Sequence, residues 1–125
     1  MDLYKAHILD HYRSPQNYGK MTGADLVAAK VNPTCGDQIT LYIKFKKERV
    51  KKITFTGGGC AISMASASLL TQKCRGMSID DILKMNEKNM KELLGVELNP
   101  ARLKCAILCL RTLQEALKEK RNKNR

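Results

Sequence analysis

The sequence has no tryptophan and only six aromatic residues, four tyrosines and two phenylalanines. Binding of single-stranded nucleic acid by base stacking needs aromatic platforms, and only Tyr42, Phe45 and Phe55 fall on strand-like segments. No apolar run of about 18 residues exists, which excludes a membrane-spanning helix. Asp2, His7, Asp10 and His11 stand where a signal peptide would carry its apolar core, so the chain is expected to stay in the cytoplasm. Acidic residues are scarce, twelve against 23 basic ones, and the formal charge is +11. Such a surface suits an acidic partner or a polyanion. The positive charge is nevertheless dispersed, about +4 over residues 35–60 and about +5 from residue 91 onward, which describes solvated faces better than a nucleic-acid stripe. There is no internal repeat or linker, and 125 residues fit a single domain spanning 1–125.

Periodicity then orders the elements. Leu3, Ala6, Leu9 and Asp10 lie three or four apart and predict a helix over 2–12, capped by Asp2 and stopped by Ser14-Pro15. Residues 24–31 are a strand candidate, and 32–37 read as a loop because of Pro33 and Gly36. Ile39, Leu41, Ile43 and Phe45 alternate with polar residues, a half-buried strand that a turn near 46–49 joins to a second strand over 50–56. After Gly57-Gly58-Gly59, a helix of small residues over 60–75 can pack close to the sheet. One further helix is predicted over 80–94 with Ser78 as its cap. The last begins with Asn99 as cap and Pro100 at its first position, and Leu103, Ala106, Ile107, Leu110, Leu113 and Leu117 form its apolar stripe. Basic residues from 118 onward, and the tail over 119–125 in particular, are expected to fray.

Five cysteines in a cytoplasmic chain stay reduced, and an odd number cannot pair off, so thiol chemistry or metal binding outranks a disulfide framework. Cys35 precedes a strand, Cys60 opens a helix after the glycines, and Cys105 lies in the first turns of the last helix. Helix amino termini stabilise negative charge on sulfur at Cys60 and, less strongly, at Cys105, where Arg102 and Lys104 add positive charge. On a helical wheel Cys105 lies roughly opposite the apolar stripe, unlike an ordinary core cysteine. Cys74 and Cys109 sit inside helices and read as small buried hydrophobes. Asp37, two residues from Cys35, offers an oxygen, and three sulfurs with one oxygen suit zinc or an iron–sulfur cluster. There is no Cys-x-x-Cys knuckle, so spacing alone leaves metal binding and buried structural thiols both open. His7 and His11, at i and i+4 with no third ligand nearby, read as a surface pair.

Asn32-Pro-Thr-Cys-Gly-Asp37, Gly57-Gly-Gly-Cys-Ala-Ile-Ser-Met-Ala-Ser-Ala-Ser68 and Pro100-Ala-Arg-Leu-Lys-Cys105 resemble the iron–sulfur cluster assembly proteins of the IscU/SufU/NifU amino-terminal type. The resemblance runs through nearly the whole chain. It implies an α+β, SufE/NifU-like fold, a small antiparallel sheet of about three strands covered by helices. It also implies metal ligands at Cys35, Asp37, Cys60 and Cys105, with Cys35 as the sulfur acceptor. The implied partners are a pyridoxal-phosphate cysteine desulfurase and downstream assembly or acceptor proteins, with Tyr4 a possible contact. Lys104 stands where IscU scaffolds have a histidine, and Asn99-Pro-Ala-Arg-Leu-Lys104 replaces their chaperone-binding segment. Lys104, together with Ser63-Met-Ala-Ser-Ala-Ser68, resembles the SufU branch, which implies zinc-dependent sulfur transfer. The 44 residues between Cys60 and Cys105 are closer to IscU length, and the alternative is a scaffold on which a [2Fe–2S] cluster is assembled.

Overall fold

The structure, a computed structural model, describes residues 3–33 and 36–123, with side chains from residue 6 onward. Asp2 and Cys35 therefore lie outside the described residues, as do the Tyr4 side chain and the last two residues.

Three strands, β1 (Leu26–Val31), β2 (Gln38–Lys46) and β3 (Arg49–Gly58), form an antiparallel sheet in the order β1-β2-β3. The β2–β3 hairpin turns at Lys47, which takes a positive φ of 58°. Period-two alternation puts Ile39, Leu41 and Ile43 of β2 on the core face beside Ile53 and Phe55 of β3. Val50 is also fully buried although it is three residues from Ile53. An irregularity between Lys44 and Phe45 shifts the register and returns Val50 to the inner face. The segment after the first helix lies along β3, with Phe55 N–H donating to Asn17 O and Gly19 N–H to Phe55 O, so the β3 edge is partly covered.

The helices are α1 (Leu3–Arg13), α2 (Ala61–Cys74), α3 (Ile79–Leu83), α4 (Glu87–Leu94) and α5 (Pro100–Lys123). Helices α2 and α5 cover the sheet, and Leu70, Cys74, Ile107, Leu110, Leu113 and Leu117 meet its apolar face in the main core. A second cluster of Ile8, Ala65, Leu69, Leu94 and Ala106 joins α1, α2, α4 and α5. Helix α2 is thus buried on several sides, which its alanines and serines permit. Ser66 and Thr71 return their hydroxyl hydrogens to carbonyls of their own helix, Ile62 O at 2.6 Å and Ala67 O at 2.8 Å. The architecture is α+β, as the resemblance implied.

Two expectations are corrected. The single helix over 80–94 is two helices. Asn86 and Asn89 exchange side-chain-to-backbone hydrogen bonds at 2.8 and 3.2 Å and start α4. Gln114 Nε2 donates to Ile82 O and Met85 O, both at 2.9 Å, satisfying carbonyls that the break exposes. The residues from 118 onward are not frayed among those described, because α5 continues through Lys123. Arg121 pairs with Asp80, and Lys120 Nζ lies 4.6 Å from the centre of the Phe45 ring. The cap of α5 is as expected, with Arg102 N–H donating to Asn99 Oδ1 at 2.9 Å.

Candidate metal centre

Residues far apart in the chain meet where the β1–β2 loop, the β3–α2 corner and the start of α5 converge. Asp37 closes the loop that begins at Asn32, with Asn32 N–H donating to Asp37 O at 2.7 Å and Gly36 N–H to Asn32 O at 2.8 Å. Gly36 takes φ +76°, left-handed backbone that a glycine adopts without strain. Cys60 is the amino-terminal cap of α2, and Cys105 lies in the second turn of α5.

The carboxylate of Asp37 is 2% exposed and aimed at the corner. Its Oδ1 accepts from the Cys60 N–H at 3.0 Å, and its Oδ2 lies 3.8 Å from Cys60 Sγ, which donates to it. On the other side the Ser63 N–H donates to Cys60 Sγ at 3.4 Å. This bond puts the sulfur at the positive end of the α2 dipole. Cys105 Sγ donates to Ala101 O at 3.7 Å. One carboxylate oxygen of Asp37, Cys60 Sγ and Cys105 Sγ all fall within 4.8 Å of one another. The close approach depends on Gly59, since a Cβ there would stand 2.3 Å from Asp37 Oδ1.

Sulfur and carboxylate donors at this separation fit a tetrahedral ion of zinc type, with Zn–S about 2.3 Å and Zn–O about 2.1 Å. The donor set also fits iron in a sulfur-rich site. Asp37, Cys60 and Cys105, three of the four residues in the ligand set that the resemblance implied, are brought together. The fourth, Cys35, lies outside the described residues.

Cys105 is only 5% exposed, so it is turned from the apolar stripe, as the helical wheel predicts, and is buried as well. It faces away from the sheet-side stripe into the junction with the loop and α2. Arg102 and Lys104 stand exposed on the first turns of α5. Lys104 lines a groove of about 200 Å³ with Lys30, Pro33, Ile107, Leu108 and Arg111. The two remaining described cysteines behave as expected of core thiols. Burial pushes Cys74 up to about 12, and burial, reinforced by Cys74, pushes Cys109 up as well. The backbone partners of the sulfurs, Ser63 N–H and Ala101 O, were not legible in the sequence. The glycine run before Cys60 was the only signal of the close approach at Gly59.

The family model for the NifU-like N terminal domain matches residues 3–125. The zinc-dependent sulfurtransferase SufU of Bacillus subtilis is 35% identical over 139 aligned positions, covering 98% of this chain and 94% of that protein. The iron-sulfur cluster assembly scaffold protein IscU 1 of Archaeoglobus fulgidus is also 35% identical, over 122 positions, covering 98% of this chain and 79% of that protein. Among solved structures, a putative iron-sulfur cluster assembly scaffold protein for the SUF system from Fervidobacterium islandicum superposes with a TM-score of 0.79. It is 30% identical, over 89% of this chain and 93% of that one.

Proposed function

Because this chain belongs to the family of NifU-like N-terminal domains, we propose that it works in iron–sulfur cluster biogenesis as a zinc-dependent sulfur-transfer protein. The observation that carries the reading is the convergence of Asp37, Cys60 and Cys105 on one point. Cys35 completes the set as the fourth ligand and the sulfur acceptor. Only two Cα–Cα steps of about 3.8 Å separate it from Asp37 along the chain. Bound zinc would supply charge that keeps the thiols deprotonated and sheltered.

The chain's own residues do the rest. Asp37, anchored by the Cys60 N–H, supplies an oxygen donor, which leaves more readily than a fourth sulfur. Arg102 and Lys104 offset part of the negative charge of three thiolates and a carboxylate. The Cys35 thiolate attacks the outer sulfur of a persulfide on a pyridoxal-phosphate cysteine desulfurase. A new S–S bond forms on Cys35, the old one breaks, and the desulfurase thiolate leaves with the electron pair, so no external oxidant is needed. Downstream assembly or acceptor proteins then take the sulfur, and Tyr4 belongs to the desulfurase contact. We place this work in the cytoplasm, and among the described residues no helix is long and apolar enough to cross a membrane. Replacing Cys35 by Ser should abolish stimulation of the desulfurase with the fold intact, and retained stimulation would reject Cys35 as acceptor.

A second reading keeps the ligands and makes the protein a scaffold that receives a [2Fe–2S] cluster as cargo. It is supported by the printed names of relatives such as the IscU scaffold of Archaeoglobus fulgidus, which is as similar to this chain, at 35% identity, as the sulfurtransferase is. Anaerobic reconstitution followed by visible absorption separates the two. A stable cluster on a protein whose function zinc inhibits selects the scaffold.

A further inference from the structure

Outside the centre, the described residues bring two imidazoles together on α1. His7 and His11 are one helical turn apart, their ring centroids are 4.8 Å apart, and the rings meet edge to face at 75°. His7 is exposed, and His11 is partly exposed. The outer ring is backed by an inner partner, since His11 Nδ1 is hydrogen-bonded to Ser68 Oγ at 2.7 Å. Ser68 is fully buried on α2, and its Oγ also accepts from the Gln16 N–H at 2.8 Å, so it is a fixed point and not a mobile hydroxyl. The bond to a buried oxygen sets the orientation of the imidazole, and in the tautomer with its hydrogen on Nδ1, donated to Ser68 Oγ, the Nε2 lone pair is the one available for coordination. Ile8, next to His7 in sequence, is buried in the α1–α2 cluster, so α1 is held against α2 along the side adjacent to the histidines.

We propose that His7 and His11 form a second metal site, a two-imidazole chelate on α1 for a divalent late transition ion such as Ni²⁺ or Zn²⁺. Imidazole is the ligand type these ions favour, and residues at i and i+4 share one face of a helix. Water fills the remaining coordination positions, because the pair opens to solvent. The site is separate from the cysteine centre. Ser68 lies eight residues along α2 from Cys60, about 12 Å at the helical rise, too far for one ion to be shared. The chelate ties one turn of α1 together and so resists its fraying while the ion is bound.

The test uses the untagged full chain, titrated with Ni²⁺ and followed by the paramagnetic broadening of its amide NMR signals, which locates both sites in one experiment. Broadening centred on residues 7–11 and on Ser68, distinct from any at residues 36–38, 60 and 105, is expected. In His7→Ala, an exposed position whose loss leaves the His11–Ser68 bond in place, the α1 broadening should need at least about tenfold more Ni²⁺ while the response at the cysteine centre is unchanged. Absence of broadening on α1 at a few equivalents of Ni²⁺ overturns the proposal. So does α1 broadening that is the same in His7→Ala as in the parent chain.

Discussion

Asp37 packs closely against Gly59 in the candidate centre. A methyl group at Gly59 would meet Asp37 Oδ1 at 2.3 Å, so Gly59→Ala must push the carboxylate or the corner aside. Overpacking of this kind costs about 1–3 kcal/mol, read as a lower urea midpoint, and the displaced donor should also lower the zinc retained after dialysis. Thiol reactivity should divide the cysteines sharply. Cys74 and Cys109 are buried in the core with raised proton affinity, so in native protein they should react with a disulfide reagent only as fast as the chain opens. Rapid modification of either in the folded state would contradict their placement. His11 supplies a pH test. Burial and then His7 lower its proton affinity below the ordinary value of 6.5, against the opposing effect of Asp10. The unfolded chain therefore binds more protons between the lowered value and 6.5. The contribution is complete above about 6.5 and is lost as pH falls through that window. Denaturation midpoints measured in EDTA should drop on acidification by less in His11→Asn than in the parent chain.

Elements whose signals are local were legible in the sequence. The alternation in β2 and the Asn99-Pro100 start of α5 are set by residues within a few positions of each other, and both stand where the pattern put them. Features that depend on a neighbour in space were not. The break before α4 needs Gln114, 29 residues from Met85, to receive the freed carbonyls. A wheel drawn for α5 alone treats it as having one buried face, yet it is packed by the sheet on one side and by α2, α3 and α4 on others, which is why Cys105 is buried as well as turned from the stripe. Val50 entered the core through a register shift that strict period two does not contain. Of the centre, the ligand identities came from motifs and the hydrogen bonds that aim them came from the fold. Asn86→Ala should cost about 1 kcal/mol through the lost cap, measured by urea unfolding, with metal content unchanged.

For the molecule as a whole, the charge of +11 and the site's place at a junction of three segments act together. A basic surface accelerates encounter with an acidic partner by steering, and salt screens it over about 8 Å at physiological strength. Association with the proposed desulfurase partner should therefore slow as salt rises, while the dissociation rate changes little. The proposed sulfur transfer requires one ion held by residues from the loop, α2 and α5. The most direct measurement is zinc-edge X-ray absorption with metal quantification on protein purified without added iron. About one zinc per chain is expected, bound mainly by sulfur with one oxygen, and that metal should be lost in Asp37→Ala and Cys105→Ser. Protein that carries no stoichiometric metal, or zinc surrounded only by nitrogen and oxygen, would contradict the proposed sulfur transfer.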